Sequence, residues 1–154
     1  MGRNLMIAAS ILACGSLFVQ GARSQGQKNE YVAAAEKEAL RAVNFRQGDT
    51  ASLKRAQADF TPDGWKEYMK SMQDWLDASG APRFTSSFAP SRRAVVISQA
   101  SGSVHFRIPG TLKQTQKLSS TTYRAAIDVV AGGNPAKIQH LEQITCTGKS
   151  TACD

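Results

Sequence analysis

Two histidines and three cysteines are the whole supply of imidazole and thiol groups in the 154 residues. A closed zinc site gathers four such ligands, and His140 is the sole histidine near Cys146 and Cys153. No metal and no cofactor are therefore expected. The catalytic signatures with a defined spacing are missing too: no Gly-x-Ser-x-Gly elbow, no His-Glu-x-x-His helix and no phosphate-cradling glycine loop. Lys/Arg-rich runs interleaved with aromatics do not occur, which argues against nucleic acid as a partner. No apolar stretch reaches the roughly 20 residues of a spanning helix. There is no internal repeat, heptad array or long low-complexity segment.

What the chain does have begins with "MGRNLMIAASILACGSLFVQGARSQGQ". Arg3 precedes an apolar run from Leu5 to Val19, the pattern of a secretory leader. Residues 1–24 are read as that leader, and residues 28–154 as one mature domain of ordinary size. Small residues in "VQG" and "ARS" suit ordinary cleavage. "ILAC", Ile11 to Cys14, is similar to a lipobox and offers lipidation at Cys14 as the second route. Leu12 and the apolar "LFV" after Cys14 favour cleavage, so membrane contact is expected only if the leader is kept or a lipid attached.

Export leaves Cys146 and Cys153 as an even pair in "CTGKSTAC", and an oxidising compartment would join them. The formal charge of +7 falls to +5 once Arg3 and Arg23 are removed with the leader. Mild basicity of this kind serves solubility, or attraction to anionic headgroups or an acidic partner face.

Within the mature chain, "EYVAAAEKEALRAVNFR" from Glu30 to Arg46 has helical propensity throughout and stops at Gly48. Tyr31, Ala34, Ala35, Ala39, Ala42, Val43 and Phe45 fall near helical period, and the alanines suggest close packing. "DTASLKRAQADF" is a second, shorter helix with Asp49 or Thr50 as its N-cap. In "FTPDGWKEYMKSMQDWLDASG", Thr61 is a good cap, Pro62 suits the first helical position, and Gly80 with Pro82 ends the helix. Trp65, Tyr68, Met69, Met72, Trp75 and Leu76 follow the i, i+3, i+4, i+7 rule. With Lys66, Glu67, Lys70, Gln73, Asp74 and Asp77 opposite, this aromatic density is the core face of a helix rather than a ligand box.

After Pro82 the pattern changes to alternation. "RFTSSF", then "RRAVVISQA", the turn "SGS" and "VHFRIPGTL" read as strands with a hairpin. Val104, Phe106 and Ile108 share one face, His105 and Arg107 the other. "TTYRAAIDVVA" places Tyr123, Ala125, Ile127 and Val129 together, and "GGNP" turns the chain into "AKIQHLEQITC". Helices first and four or five antiparallel strands afterwards give an α+β domain with helices on one face of a curved sheet. A split near Gly80 to Pro82 would leave each half without a partner for its apolar face.

The block "FTPDGW", Phe60 to Trp65, with Tyr68 one turn on, the Ala-rich helix before it and "VVISQASGSVHFRIPGTL" and "YRAAIDVV" after it resemble the DotI/IcmL/TraM family of type IVB secretion and conjugation systems. The resemblance covers Tyr31 to Cys146. It implies a periplasmic nuclear transport factor 2-like domain, a cone of helices wrapped by a curved sheet. It also implies a non-enzymatic role with other envelope proteins of the apparatus as partners, and self-association. Best-known members carry the domain behind a cytoplasmic tail and a transmembrane helix, and here a cleavable-looking leader precedes it instead.

Domains of that shape also serve as isomerases, so the titratable residues bear on function. His105 and Arg107 share one strand face, His140 and Glu142 another, and Asp128 could point into the cone. None carries a catalytic signature, and no catalytic residue is assigned. Arg92 and Arg93, beside a strand start, are the candidate interaction surface. The alternative function is a small periplasmic hydrophobe-binding or isomerase-like domain that uses the cone interior.

Overall fold

The computed structural model describes residues 16–79, 84–100, 102–116, 119–147 and residue 153. Residues 1–30 and 31–154 form separate compact units. The first consists, where described, of helix. Cys14 and most of the expected leader lie outside the described residues, as do the side chains of Trp75 and Leu76. No described helix is long and apolar enough to cross a membrane.

Helix α1, Ser16–Val43, reaches further upstream than expected and stops earlier. Asn44 is the reason for the stop. Its backbone N–H and its Nδ2 both donate to Leu40 O, at 3.1 and 2.8 Å, while its Oδ1 accepts Phe88 N–H at 2.6 Å. The chain is thus turned from helix onto the sheet, and Phe45–Arg46 become the short strand β1. Gly48 follows with φ of +88°, a left-handed turn that a side chain would strain.

Helix α2, Thr50–Gln57, is capped by Asp49, whose carboxylate accepts Ser52 N–H at 3.0 Å and Ser52 Oγ–H at 2.7 Å. Helix α3, Pro62–Ser79, starts at Thr61, which accepts Gly64 N–H through Oγ1 at 3.2 Å.

The strands β2 (Phe84–Pro90), β3 (Val95–Ala100), β4 (Ser103–Gln116), β5 (Ser119–Gly132) and β6 (Lys137–Thr145) complete one antiparallel sheet. Its order is β1-β2-β4-β5-β6, and β3 pairs with β4. Because β5 takes one whole edge of β4, from Ser103 to Gln116, β2 and β3 must share the other edge. There β2 faces Gly110–Gln116 and β3 faces Ser103–Arg107. The expected α+β class is the one observed: helices packed on a curled antiparallel sheet.

The core lies between the helices and one sheet face. It takes Ala35, Ala39, Ala42 and Val43 from α1, with Phe60, Tyr68 and Met72 around α3. Phe84 and Phe88 of β2, Phe106, Ile108 and Leu112 of β4, Ile127 and Val129 of β5, and Ile138 and Leu141 of β6 meet them. The alanines at i, i+4 and i+7 keep α1 thin on its buried side, so its backbone approaches closely. Ala34, by contrast, is exposed. Around this core Arg41 donates to Asp59 at 2.7 Å and Lys137 donates to Ala58 O, which fastens α1 and the β5–β6 turn to the α2–α3 link.

Cys146 and Cys153 are joined, with Cα atoms 6.2 Å apart. Cys153 is buried, and Cys146 N–H donates to Arg124 O at 2.9 Å. Closing a loop with a sequence separation of 7 is worth about 2–3 kcal/mol by chain entropy. Cys153→Ser is therefore expected to lower the urea midpoint by that equivalent. Identical melts for the variant and the oxidised wild type would show that the bridge stabilises nothing.

Candidate functional site

The "FTPDGW" block is a joint between α3 and the sheet. Phe60 forms a parallel bridge with Ile138, Thr61 N–H donates to Ile138 O at 2.9 Å, and Ile138 N–H donates to Asp59 O at 2.9 Å. Phe60 then sits between Tyr68 and Trp65, with ring centroids at 5.2 and 5.4 Å. Gly64 is where the helix touches β6: a Cβ there would lie 2.6 Å from Gln139 O and 2.7 Å from Ile138 O. Tyr68 is buried and donates through its hydroxyl to Ala42 O at 2.8 Å. Burial raises its pKa, so it stays a donor. Trp65 and Met69 are only partly buried against the core, and Met72 is buried.

One turn further along α3 a cleft of about 420 Å³ opens between the helix and the sheet. Its apolar wall is Phe45, Tyr68, Met72, Phe84 and Leu141. Its polar groups are Ser71, Ser86, Gln114 and Gln143, with Glu67, His140 and Glu142 at one end. Register explains the grouping: Ser86 pairs with Phe45 on one side and with Gln114 on the other.

Ser86 is 3% exposed, and its Oγ has no hydrogen-bond partner among the described residues. A buried hydroxyl left unpaired costs about 1–3 kcal/mol. His140 stands between two carboxylates, Nδ1 at 3.2 Å from Glu67 and Nε2 at 3.9 Å from Glu142.

Asp128 does not point into the cone. Its strand neighbours Ile127 and Val129 are the core residues, so alternation turns Asp128 to the opposite face of the sheet. There Arg107 donates to it twice, at 2.5 and 2.6 Å, and His105 lies 3.4 Å away. Burial pushes the carboxyl up, but the Arg107 hydrogen bond and charge, helped by His105, outweigh it and hold Asp128 below its ordinary range. His105, Arg107 and Asp128 thus come together, as a cross-strand ion cluster away from the cleft.

A folded-state value below the unfolded one means that the stabilisation is complete above the usual aspartate range and is lost as pH falls towards and through the lower folded-state value. Asp128→Asn is expected to cost about 1 kcal/mol at neutral pH, the pair being partly solvated. The difference from wild type should shrink steadily as pH falls below the usual aspartate range. A cost that stays constant from neutral to acid pH would exclude this pair as its source.

Arg92 and Arg93 lie exposed in the link between β2 and β3. Arg93 faces Glu36 of α1, whose carboxyl also accepts Ala94 N–H; burial pushes Glu36 up against the pull of both. Beyond them β3 is exposed along its whole length, with Val95, Val96 and Ile97 at 46%, 51% and 46%. Among the described residues β3 pairs with β4 alone.

Sequence reasoning missed Ser86 and Gly64. The first was within reach, since Phe84, Ser86 and Phe88 alternate onto one face. Gly64 carries no such signal, because a glycine in a first helical turn looks like any other.

No family model matches the chain, and no curated protein matches it. Solved structures do. The periplasmic domain of DotI superposes with a TM-score of 0.61 at 14% identity, over 90% of this chain and 100% of that one. The chain has the DotI-type fold. An IcmL-like type IV secretion system protein of Legionella pneumophila gives 0.58 at 12% identity, over 80% of this chain and 96% of its own. CagV, a VirB8 homolog from the type IV secretion system of Helicobacter pylori, gives 0.56 at 8% identity, over 77% and 99%. This is the nuclear transport factor 2-like arrangement that the resemblance implied. In the DotI-type fold of this chain, the joint at "FTPDGW" and the cleft beside it both belong to the contact of α3 with the sheet.

Proposed function

We propose that the chain is an exported, non-enzymatic component of a type IVB secretion or conjugation apparatus, and that it works through protein–protein contacts in the periplasm. The observation that carries the reading is the fold, shared along 90% of the chain with a domain described as periplasmic. The leader at residues 1–24, cleaved or lipidated at Cys14, would deliver it there, and the joined Cys146 and Cys153 suit an oxidising compartment.

The surface best made for contact is β3. Soluble proteins blunt an open strand edge with charge or proline, yet Val95–Ala100 has neither. Arg92 and Arg93 precede it and would steer an acidic partner face towards the edge. A second copy of the chain or another envelope protein of the apparatus is the occupant.

A photo-crosslinking residue in place of Val96, activated in intact cells, tests this. A crosslinked product containing a second copy or another apparatus component is expected, weakened when Arg92 and Arg93 are replaced by glutamate. Absence of any product, with the chain present and folded, would overturn the contact reading.

A further inference from the structure

The cleft under α3 is a built site with unmet chemistry, and the contact role proposed above makes no use of it. Four observations converge on it. It offers about 420 Å³ of room, enough for a small organic molecule and within the usual size of ligand pockets. One side is apolar, with Phe45, Tyr68, Met72 and Phe84. Beside it, on the same strand face as Phe84 and paired in register with Phe45, stands the Ser86 hydroxyl, 3% exposed and without a partner among the described residues. At its rim Glu67 brings one carboxylate to His140, Nδ1 at 3.2 Å, whereas Glu142, across from Asp128 in register, lies in the field of Arg107.

We propose that this cleft binds a small amphiphile with an aromatic or aliphatic body, a hydroxyl or carbonyl group for Ser86 and a cationic end for Glu67. The body lies against the apolar wall, where shape and burial supply affinity. Ser86 either donates to a carbonyl or accepts from a hydroxyl, since it has both capacities. The ammonium stays near the mouth, where Glu67 is exposed and the cation keeps part of its hydration. An anionic analogue would meet a like charge at the same place. Gln114 and Gln143, neutral and able to donate or accept, tolerate several polar substituents.

Tyramine, phenethylamine and 3-(4-hydroxyphenyl)propionate form a matched set: body with hydroxyl and amine, body with amine alone, and body with hydroxyl and carboxylate. Titrating each into the 15N-labelled oxidised domain should shift amide signals of Ser86, Gln114 and Gln143. Tyramine is expected to bind about three- to tenfold tighter than phenethylamine, the range of one neutral hydrogen bond. The carboxylate should bind weakest. In Ser86→Ala the advantage of tyramine over phenethylamine should disappear, with both still bound. In Glu67→Gln the preference for amine over carboxylate should disappear, and in wild type added salt should reduce it. No shifts at millimolar ligand, a carboxylate bound as well as the amines, or a Ser86→Ala domain with the wild-type ranking would each overturn the proposal.

Discussion

Tyr68→Ala is expected to destabilise the domain by about 3–5 kcal/mol, the range for removing a large buried aromatic. Tyr68 is 4% exposed, its ring stacks on Phe60 at 5.2 Å and lies 5.8 Å from Trp65, and its hydroxyl donates to Ala42 O, 26 residues away. The substitution therefore opens a cavity and leaves a carbonyl near the end of α1 unpaired. Tyr68→Phe keeps the ring and should cost about 1 kcal/mol for the hydrogen bond alone. Trp65 is only partly buried, so Trp65→Ala should cost less than Tyr68→Ala, about 2–3 kcal/mol by its smaller burial. Lys70→Ala, on the exposed face, should be near neutral. Urea melts of the four variants rank them. A Tyr68→Ala protein that melts with wild type would remove Tyr68 from the centre of the core.

Gly64→Ala should also destabilise, although helix propensity alone would favour alanine by about 1 kcal/mol. The added Cβ would meet Gln139 O at 2.6 Å and Ile138 O at 2.7 Å. These are backbone atoms of β6, pinned by the hydrogen bonds of Asp59 and Thr61 with Ile138, and cannot swing aside as a side chain would. The helix must lift from the strand, at a net cost of about 1–3 kcal/mol typical of overpacking. Because Glu67, Tyr68, Ser71 and Met72 line the cleft from α3, the same lift should move the amide signals of Ser86 and Gln143. Raised stability in urea would show that the contact is looser than its geometry indicates.

Much of this was legible from the chain. The helix α3 with Tyr68 and Met72 on its buried face, its Thr61 cap and the hairpin of β3 with β4 follow from periodicity and turn chemistry, which act over a few residues. The end of α1 did not, because Asn44 ends the helix by reaching Phe88, 44 residues away, and no local pattern records such a partner. The strand β1 was missed for the same reason. Asp128 looked free to face either way until its register with Arg107 was known. Ser86 could be placed on the core face by alternation, but its want of a partner depends on every neighbour around it. The candidate interaction residues Arg92 and Arg93 are exposed, and the aliphatic strand edge they introduce was visible in "VVISQA" only as a strand.

The most direct measurement is substrate transfer by the native secretion or conjugation system in a strain lacking this gene. Transfer should fall in the deletion strain and return with the full chain, but not with a version begun at residue 28 and so left without its leader. Undiminished transfer in the deletion strain, or full rescue by the leaderless version, would contradict an exported component of the apparatus.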